Sequence, residues 1–93
     1  METIRQRMVV LLRGEEMSAR ELSQVLGVRE KEVYEHLAHI ARSVTTKGER
    51  LIMRPSVCLV CGYIFQDRSR FTRPGRCPRC KKSRIQEPRY IVC

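Results

Sequence analysis

The stretch Cys58-Leu59-Val60-Cys61-Gly62-Tyr63-Ile64-Phe65, followed after a basic loop by Cys77-Pro78-Arg79-Cys80, decides how this chain is read. Fifteen residues, Gly62 to Arg76, separate the two C-x-x-C pairs. Two such pairs at this separation are a strong metal-site signal. Each pair folds into a tight knuckle that presents two thiolates to one side. Two knuckles brought face to face supply a tetrahedral S₄ cage, which suits Zn²⁺ or iron. Gly62 directly after Cys61 fits a knuckle, because the chain must turn there and glycine tolerates positive φ. The predicted ligands are Cys58, Cys61, Cys77 and Cys80, with structural zinc as the cofactor and iron as the alternative. Tyr63-Ile64-Phe65, the basic loop and the Pro74-Gly75 turn are expected to carry the chain between the knuckles.

Outside this stretch the chain is short, 93 residues in all. A core of that size is marginal unless something staples it, and a structural metal is one such staple. Zinc-finger peptides bind zinc with apparent energies of about 10–16 kcal/mol, so a cage can drive folding by itself. Five cysteines without a secretory signal point to a reducing cytosol and to metal ligation rather than disulfides. The N-terminus is polar, and no apolar run approaches the roughly 18 residues of a membrane span. The expected location is therefore cytoplasmic, with no membrane partner. The absence of Trp and Asn beside plentiful Arg, Glu and Lys suits a heat-adapted protein.

The net charge of +9 is unevenly placed. Met1 to Val44 holds seven Lys/Arg and seven Asp/Glu, whereas Thr45 to Cys93 holds twelve against three, so all the excess lies in the cysteine half. Four thiolates and one Zn²⁺ carry a formal charge of −2, which lowers that half to +7. A one-sided basic field of this kind favours a polyanionic partner, nucleic acid first.

The N-terminal half reads as three helices. Ile4, Met8, Leu11 and Leu12 form one apolar stripe between Met1 and Gly14, with Thr3 and Gln6 in the form of a capping box. Glu15, Glu16 and Met17 read as a connection. Ser18 and Glu21 make a second box before a short helix whose Leu22, Val25 and Leu26 are expected to face inward. Gly27 stops it, and Val28 follows as a plug expected to be buried. A third helix from about Arg29 to Ser43 has the seam Val33, Leu37, Ile40 and Val44. Helix, glycine turn, helix is a helix-turn-helix arrangement. The stretch from Ser18 to Leu37 resembles the helix-turn-helix of winged-helix transcriptional regulators, through Leu22, Ser23, Leu26, Gly27, Val28, Val33 and His36-Leu37.

Leu51 to Val57 and Arg84 to Val92 read as extended segments, each interrupted by a proline (Pro55 and Pro88). They flank the cysteine stretch symmetrically, so the simplest packing is an antiparallel hairpin with the metal ribbon as its enlarged tip. Across nearly its whole length the chain resembles a family of predicted archaeal transcriptional regulators in which a winged helix-turn-helix carries a rubredoxin-like zinc ribbon. The C-L-V-C-G-Y knuckle is similar to the first knuckle of rubredoxins. The second departs from the pattern, since Lys81 stands where a glycine is usual. The resemblance implies a small α+β fold: a three-helix winged helix-turn-helix with a two-strand wing and an inserted zinc ribbon. The expected organisation is residues 1–57 for the helices and first wing strand, 58–83 for the ribbon, and 84–93 for the returning strand. It also implies DNA-binding transcription regulation with structural zinc.

In winged-helix proteins the third helix enters the major groove. By pattern, Arg29, Lys31 and Tyr34 would then meet DNA, beside Glu30, Glu32 and Glu35, whose carboxylates oppose phosphates. The ribbon is the better phosphate grip, through Arg68, Arg70, Arg73, Arg76, Lys81 and Lys82. Phe71 among them would stack on a base or, on the simpler reading, pack beneath the ribbon with Ile64 or Phe65. Double-stranded DNA is the expected partner. A homodimer through the first helix, and a protein or RNA partner with little duplex binding, are the alternatives. A rubredoxin-like iron electron carrier is a third, suggested by the knuckle. His36 and His39 read as ordinary helix residues and Cys93 as a free thiol. No nucleophile–base pair, paired-acid motif or phosphate loop stands out, so the expected role is binding rather than catalysis.

Overall fold

Helices form where the sequence caps them. The structure, a computed structural model, describes residues 3–66 and 70–93, so the expected contact residue Arg68 lies outside the described residues. Helix α1 spans Ile4–Gly14. Thr3 precedes it, with its hydroxyl accepting from the Gln6 N–H at 3.2 Å while the Gln6 side chain accepts from the Thr3 N–H at 2.8 Å. Helix α2, Ala19–Leu26, repeats the device with Ser18 and Glu21. Each box satisfies two main-chain donors that would otherwise be orphaned. Gly27 ends α2 in the left-handed region at φ +69°, and the N–H groups of Gly27 and Val28 both donate to the Ser23 carbonyl. Helix α3, Glu30–Thr45, begins at Arg29 without a side-chain cap. It is held instead by its seam, since Val33, Leu37, Ile40 and Val44 are all buried.

Among the described residues, five short strands complete the fold: β1 (Met17–Ser18), β2 (Leu51–Arg54), β3 (Val57–Cys58), β4 (Ile85–Gln86) and β5 (Arg89–Val92). The expected pairing of the two extended segments is present. β2 runs antiparallel to β5 from Leu51↔Val92 to Arg54↔Arg89, and β3 continues against β4 as Val57↔Gln86 and Cys58↔Ile85. Pro55 and Pro88 stand between these two ladders, one on each strand. Proline has no N–H for a ladder, so the long hairpin breaks into two sheets at that rung. On its far side β5 takes β1, with Met17↔Tyr90 and Ser18↔Arg89, giving the order β1-β5-β2. Met17 thus belongs to a buried strand and not to a plain connection. Two residues are too short for any periodicity to announce a strand.

The three helices cover one face of the β1-β5-β2 sheet. Along β5, Tyr90 and Val92 are buried and alternate with the half-buried Arg89 and Ile91. They join Met8, Leu12, Leu22, Leu26, Leu37 and the rest of the α3 seam in a single apolar cluster. Val25 is not part of it, being 54% exposed against the expectation that it faces inward. Successive helical residues are about 100° apart, so Val25 lies a full step round α2 from Leu26 and at the margin of the arc set by Ala19, Leu22 and Leu26. At the rim, the Glu16 carboxylate accepts from Arg54 at 2.8 Å and from Arg89 at 3.1 Å, and Arg89 also meets Glu21 at 2.7 Å. This network ties β2 and β5 to the start of α2.

Candidate metal centre and basic ribbon

The two knuckles are built by the same main-chain bonds. In the first, the Cys58 N–H donates to the Tyr63 carbonyl and the Gly62 N–H to the Cys58 carbonyl. In the second, the Cys77 N–H donates to the Lys82 carbonyl and the Lys81 N–H to the Cys77 carbonyl. The residue after the second cysteine of each pair takes a positive φ, +78° at Gly62 and +66° at Lys81. Lys81 is the one non-glycine residue with positive φ among the described residues. The departure noticed in the sequence is therefore a side chain placed where the backbone favours glycine.

The turns aim four sulfurs at one point. All four Sγ atoms of Cys58, Cys61, Cys77 and Cys80 lie within 4.8 Å of one another. Cys58 and Cys80 are 3.5 Å apart, and Cys61 and Cys77 are 3.7 Å apart. A Zn–S bond of about 2.3 Å places tetrahedral sulfurs about 3.8 Å apart, whereas a disulfide needs about 2.05 Å. The cage is therefore sized for a metal ion and its cysteines are free thiols. Knuckle N–H groups point at the sulfurs. The main-chain N–H of Cys61, with help from Val60, holds the Cys58 thiol down to about 6. The Tyr63 N–H likewise favours a thiolate at Cys61, yet partial desolvation of its sulfur and the three neighbouring sulfurs push that thiol up to about 11. Four sulfurs this close cannot all carry negative charge unaided. A divalent cation at their centre removes the conflict, so the donor set fits Zn²⁺. Cys58 and Cys77 are buried, while Cys61 is exposed.

The other expected contact residues separate into two groups. On α3, Arg29 lies 3.3 Å from Glu32, and Lys31 is exposed. Tyr34 is half-buried, because the loop from Arg70 to Arg73 returns from the ribbon to the helices. A cleft of about 390 Å³ between that loop and the helices is lined by Arg20, Glu30, Tyr34, Thr72, Arg73 and Glu87. Burial, and then the carboxylates of Glu30 and Glu87, raise the Tyr34 hydroxyl above its ordinary value, opposed by a main-chain hydrogen bond with Arg73. Phe71 is the anchor of this loop. It meets Tyr90 edge-on at 5.9 Å, and the Tyr90 hydroxyl donates to the Phe71 carbonyl. Phe71 thus joins the helical core, contrary to the expectation that it packs under the ribbon with Ile64 or Phe65. Phe65 pairs instead with Tyr63, at 5.0 Å.

In the ribbon, Arg70, Arg73, Arg76, Lys81 and Lys82 are exposed, and so are Arg79 and Arg84. None of these seven forms an ion pair among the described residues, whereas Arg13, Arg29, Arg54 and Arg89 each have a glutamate partner. Arg76 donates to the Lys81 carbonyl at 2.9 Å, which braces the second knuckle. His36 accepts from Arg5 at 3.1 Å, and neither histidine joins a metal-binding group among the described residues. No described helix is long and apolar enough to cross a membrane. Sequence reasoning did not find Arg20 and Glu87 as neighbours of Tyr34. Their meeting depends on the loop's return, which no local spacing encodes.

Comparison with known proteins agrees with the two-part architecture. Residues 3–52 match the family model described as PF0610-like, N-terminal, and residues 55–92 match the PF0610 rubredoxin-like zinc beta-ribbon domain. The solution NMR structure of protein PF0610 from Pyrococcus furiosus is similar, at 31% identity and a TM-score of 0.82, over 97% of this chain and 88% of that one. No protein of curated function matches the chain. With both halves matched and the four sulfurs set at metal-binding distance, the chain belongs to the PF0610-like family of small proteins with a rubredoxin-like zinc ribbon.

Proposed function

We propose that this protein is a DNA-binding transcriptional regulator of the winged helix-turn-helix type, in which the zinc ribbon supplies most of the grip on the duplex. The observation that carries this reading is the segregation of charge. Among the described residues, four arginines of the helical half and sheet (Arg13, Arg29, Arg54 and Arg89) are paired with glutamates, while seven basic side chains of the ribbon are exposed and none of them forms an ion pair. Unpaired cations gathered on one rigid element match a phosphate backbone. The winged-helix assignment is supported by the element order and by a strand between α1 and α2 that joins the β2–β5 hairpin. Lys81 adds to the case, because a lysine held at positive φ carries a conformational cost that its charge can offset. On α3 the free groups are Lys31 and the carboxylates of Glu30 and Glu35, with Tyr34 engaged by the ribbon loop. The helix therefore contributes selectivity more than affinity.

The test is duplex binding by fluorescence anisotropy at several salt concentrations, on zinc-loaded protein, with the triple variant R70A/R73A/R76A. Each neutralised phosphate contributes about 0.9 to the log–log salt slope, so the triple variant should flatten it by about 2.7. Zinc content is measured in parallel, because Arg76 also braces a knuckle. Unchanged binding by a zinc-replete triple variant refutes the role of the ribbon. The exposed carboxylates of α3 favour a second reading, in which the ribbon binds RNA or an acidic protein and α3 touches no duplex. Failure of all duplexes to bind at low salt would support that reading instead.

A further inference from the structure

The helical half carries a second groove, lined by none of the residues assigned above to DNA. It lies between α1 and the C-terminal half of α3, and its volume is about 390 Å³. Its apolar surface comes from Val9 and Val10, with Ile40 and Val44 beneath. Val10 is 57% exposed, among the most exposed large apolar side chains described. Along α1 the groove runs from Arg5 to Arg13. Eight residues at 1.5 Å rise make that about 12 Å, or two turns of a guest helix.

The rim has one sign of charge. Arg5, Arg13 and Lys47 line the groove, and no Asp or Glu does. Glu49 lies outside the lining and neutralises Arg13 through a bidentate pair at 2.6 and 2.8 Å. The cations left are Arg5 and Lys47, the latter also near Glu49, so Arg5, Arg13 and Lys47 with Glu49 leave this side a net +2. Arg5 bonds His36 and Arg13 bonds Glu49, so α1 and α3 run the same way and these two cations sit at opposite ends of the groove. A second copy of the chain would bring the same cations against them, which disfavours a symmetric dimer through this face.

We infer that this groove is a docking surface for an acidic amphipathic helix of a partner protein. Apolar residues at i+3 and i+4 would cover Val9 and Val10. Carboxylates at i and i+7, about 10 Å apart on one helix face, would reach Arg5 and Lys47. The ribbon loop meets α3 near Glu30 and Tyr34, whereas the groove uses His39 to Val44, so both surfaces are open at once.

The experiment is selection from a displayed library of helical peptides, randomised on one face, against the full zinc-loaded chain, with V10E as counter-target. Val10 is exposed enough for glutamate to be accommodated, and zinc content and circular dichroism verify the fold of V10E. The expected result is enrichment of Asp or Glu at i and i+7 with Leu, Ile, Met or Phe between them. Binding of the selected peptide should weaken about tenfold or more in V10E, and K47E should shift the preference at one end towards Lys. Duplex binding should be the same in V10E as in the parent. The inference is overturned if no peptide is enriched over V10E, or if basic peptides are. It is also overturned if sedimentation shows a dimer that V10E dissolves, because the occupant would then be a second copy.

Discussion

Removing zinc should lower the stability of the helical half while leaving it folded, and Phe71 is the reason. Among the described residues, the ribbon's own buried apolar side chains are Cys58, Pro74, Cys77 and Ile85. So few buried groups do not keep the ribbon ordered by themselves, and its main stabilisation is the metal, with apparent binding energies of about 10–16 kcal/mol in zinc-finger peptides. Without it the ribbon opens and Phe71 leaves the Tyr90 ring. The loss comprises roughly 1 kcal/mol for a half-buried phenyl, about 1 kcal/mol for the edge-on pair, and about 1 kcal/mol for the Tyr90 hydrogen bond. At about 4–8 °C per kcal/mol for a domain of this size, the remaining helices should melt roughly 12–24 °C lower. F71A in the zinc-loaded protein keeps the Phe71 carbonyl, and should cost about 2 kcal/mol, or roughly 8–16 °C. Far-UV circular dichroism melts of loaded, chelated and F71A protein measure both. Identical melts for loaded and stripped protein would refute the coupling. A stripped protein with no helical signal would refute the premise that the twelve-residue core stands alone.

Other expectations rest on single positions. Lys81→Gly should relieve about 1 kcal/mol of left-handed strain, and a chelator competition should then show metal held about fivefold more tightly. Gly62→Ala, at φ +78°, should move the same assay the opposite way. At Gly27 an added Cβ meets nothing within 4 Å, so Gly27→Ala pays only the conformational cost of about 1–2 kcal/mol, read by urea denaturation. The hydrogen bonds from Arg13 hold the Glu49 carboxyl below its ordinary 4.5, with burial opposing and Lys47 assisting. A depressed carboxylate stabilises the fold above its unfolded value and loses that contribution as pH falls through the lowered one. An NMR titration should therefore show Glu49 returning towards 4.5 in R13Q; a value that stays put would mean the pair does not persist in solution.

The comparison of sequence with structure turns on distance along the chain. Both capping boxes join residues three apart, the Gly27 stop reaches back four, and each knuckle closes within five, so spacing alone announced them. The α3 seam was legible because sixteen residues of one helix repeat the same period. The pairing of β2 with β5 was legible from symmetry, with a proline on each side of a metal-binding insertion. The metal centre follows from the same local turns, since two self-contained knuckles need only meet.

What the sequence by itself determined is thus the helices, the glycine stop, the four sulfur ligands and the basic ribbon. Tertiary structure alone decided that Met17 and Ser18 form a strand, that Val25 faces water, and that Phe71 leaves the ribbon for the helical core. It also decided that Tyr34 lies under the ribbon loop, and which arginines find a glutamate. Glu16 reaches Arg89 across seventy-three positions, and Phe71 reaches Tyr90 across nineteen. Contacts of that span leave no period and no motif, because their energy comes from surfaces that exist only once the helices and the ribbon have been brought together.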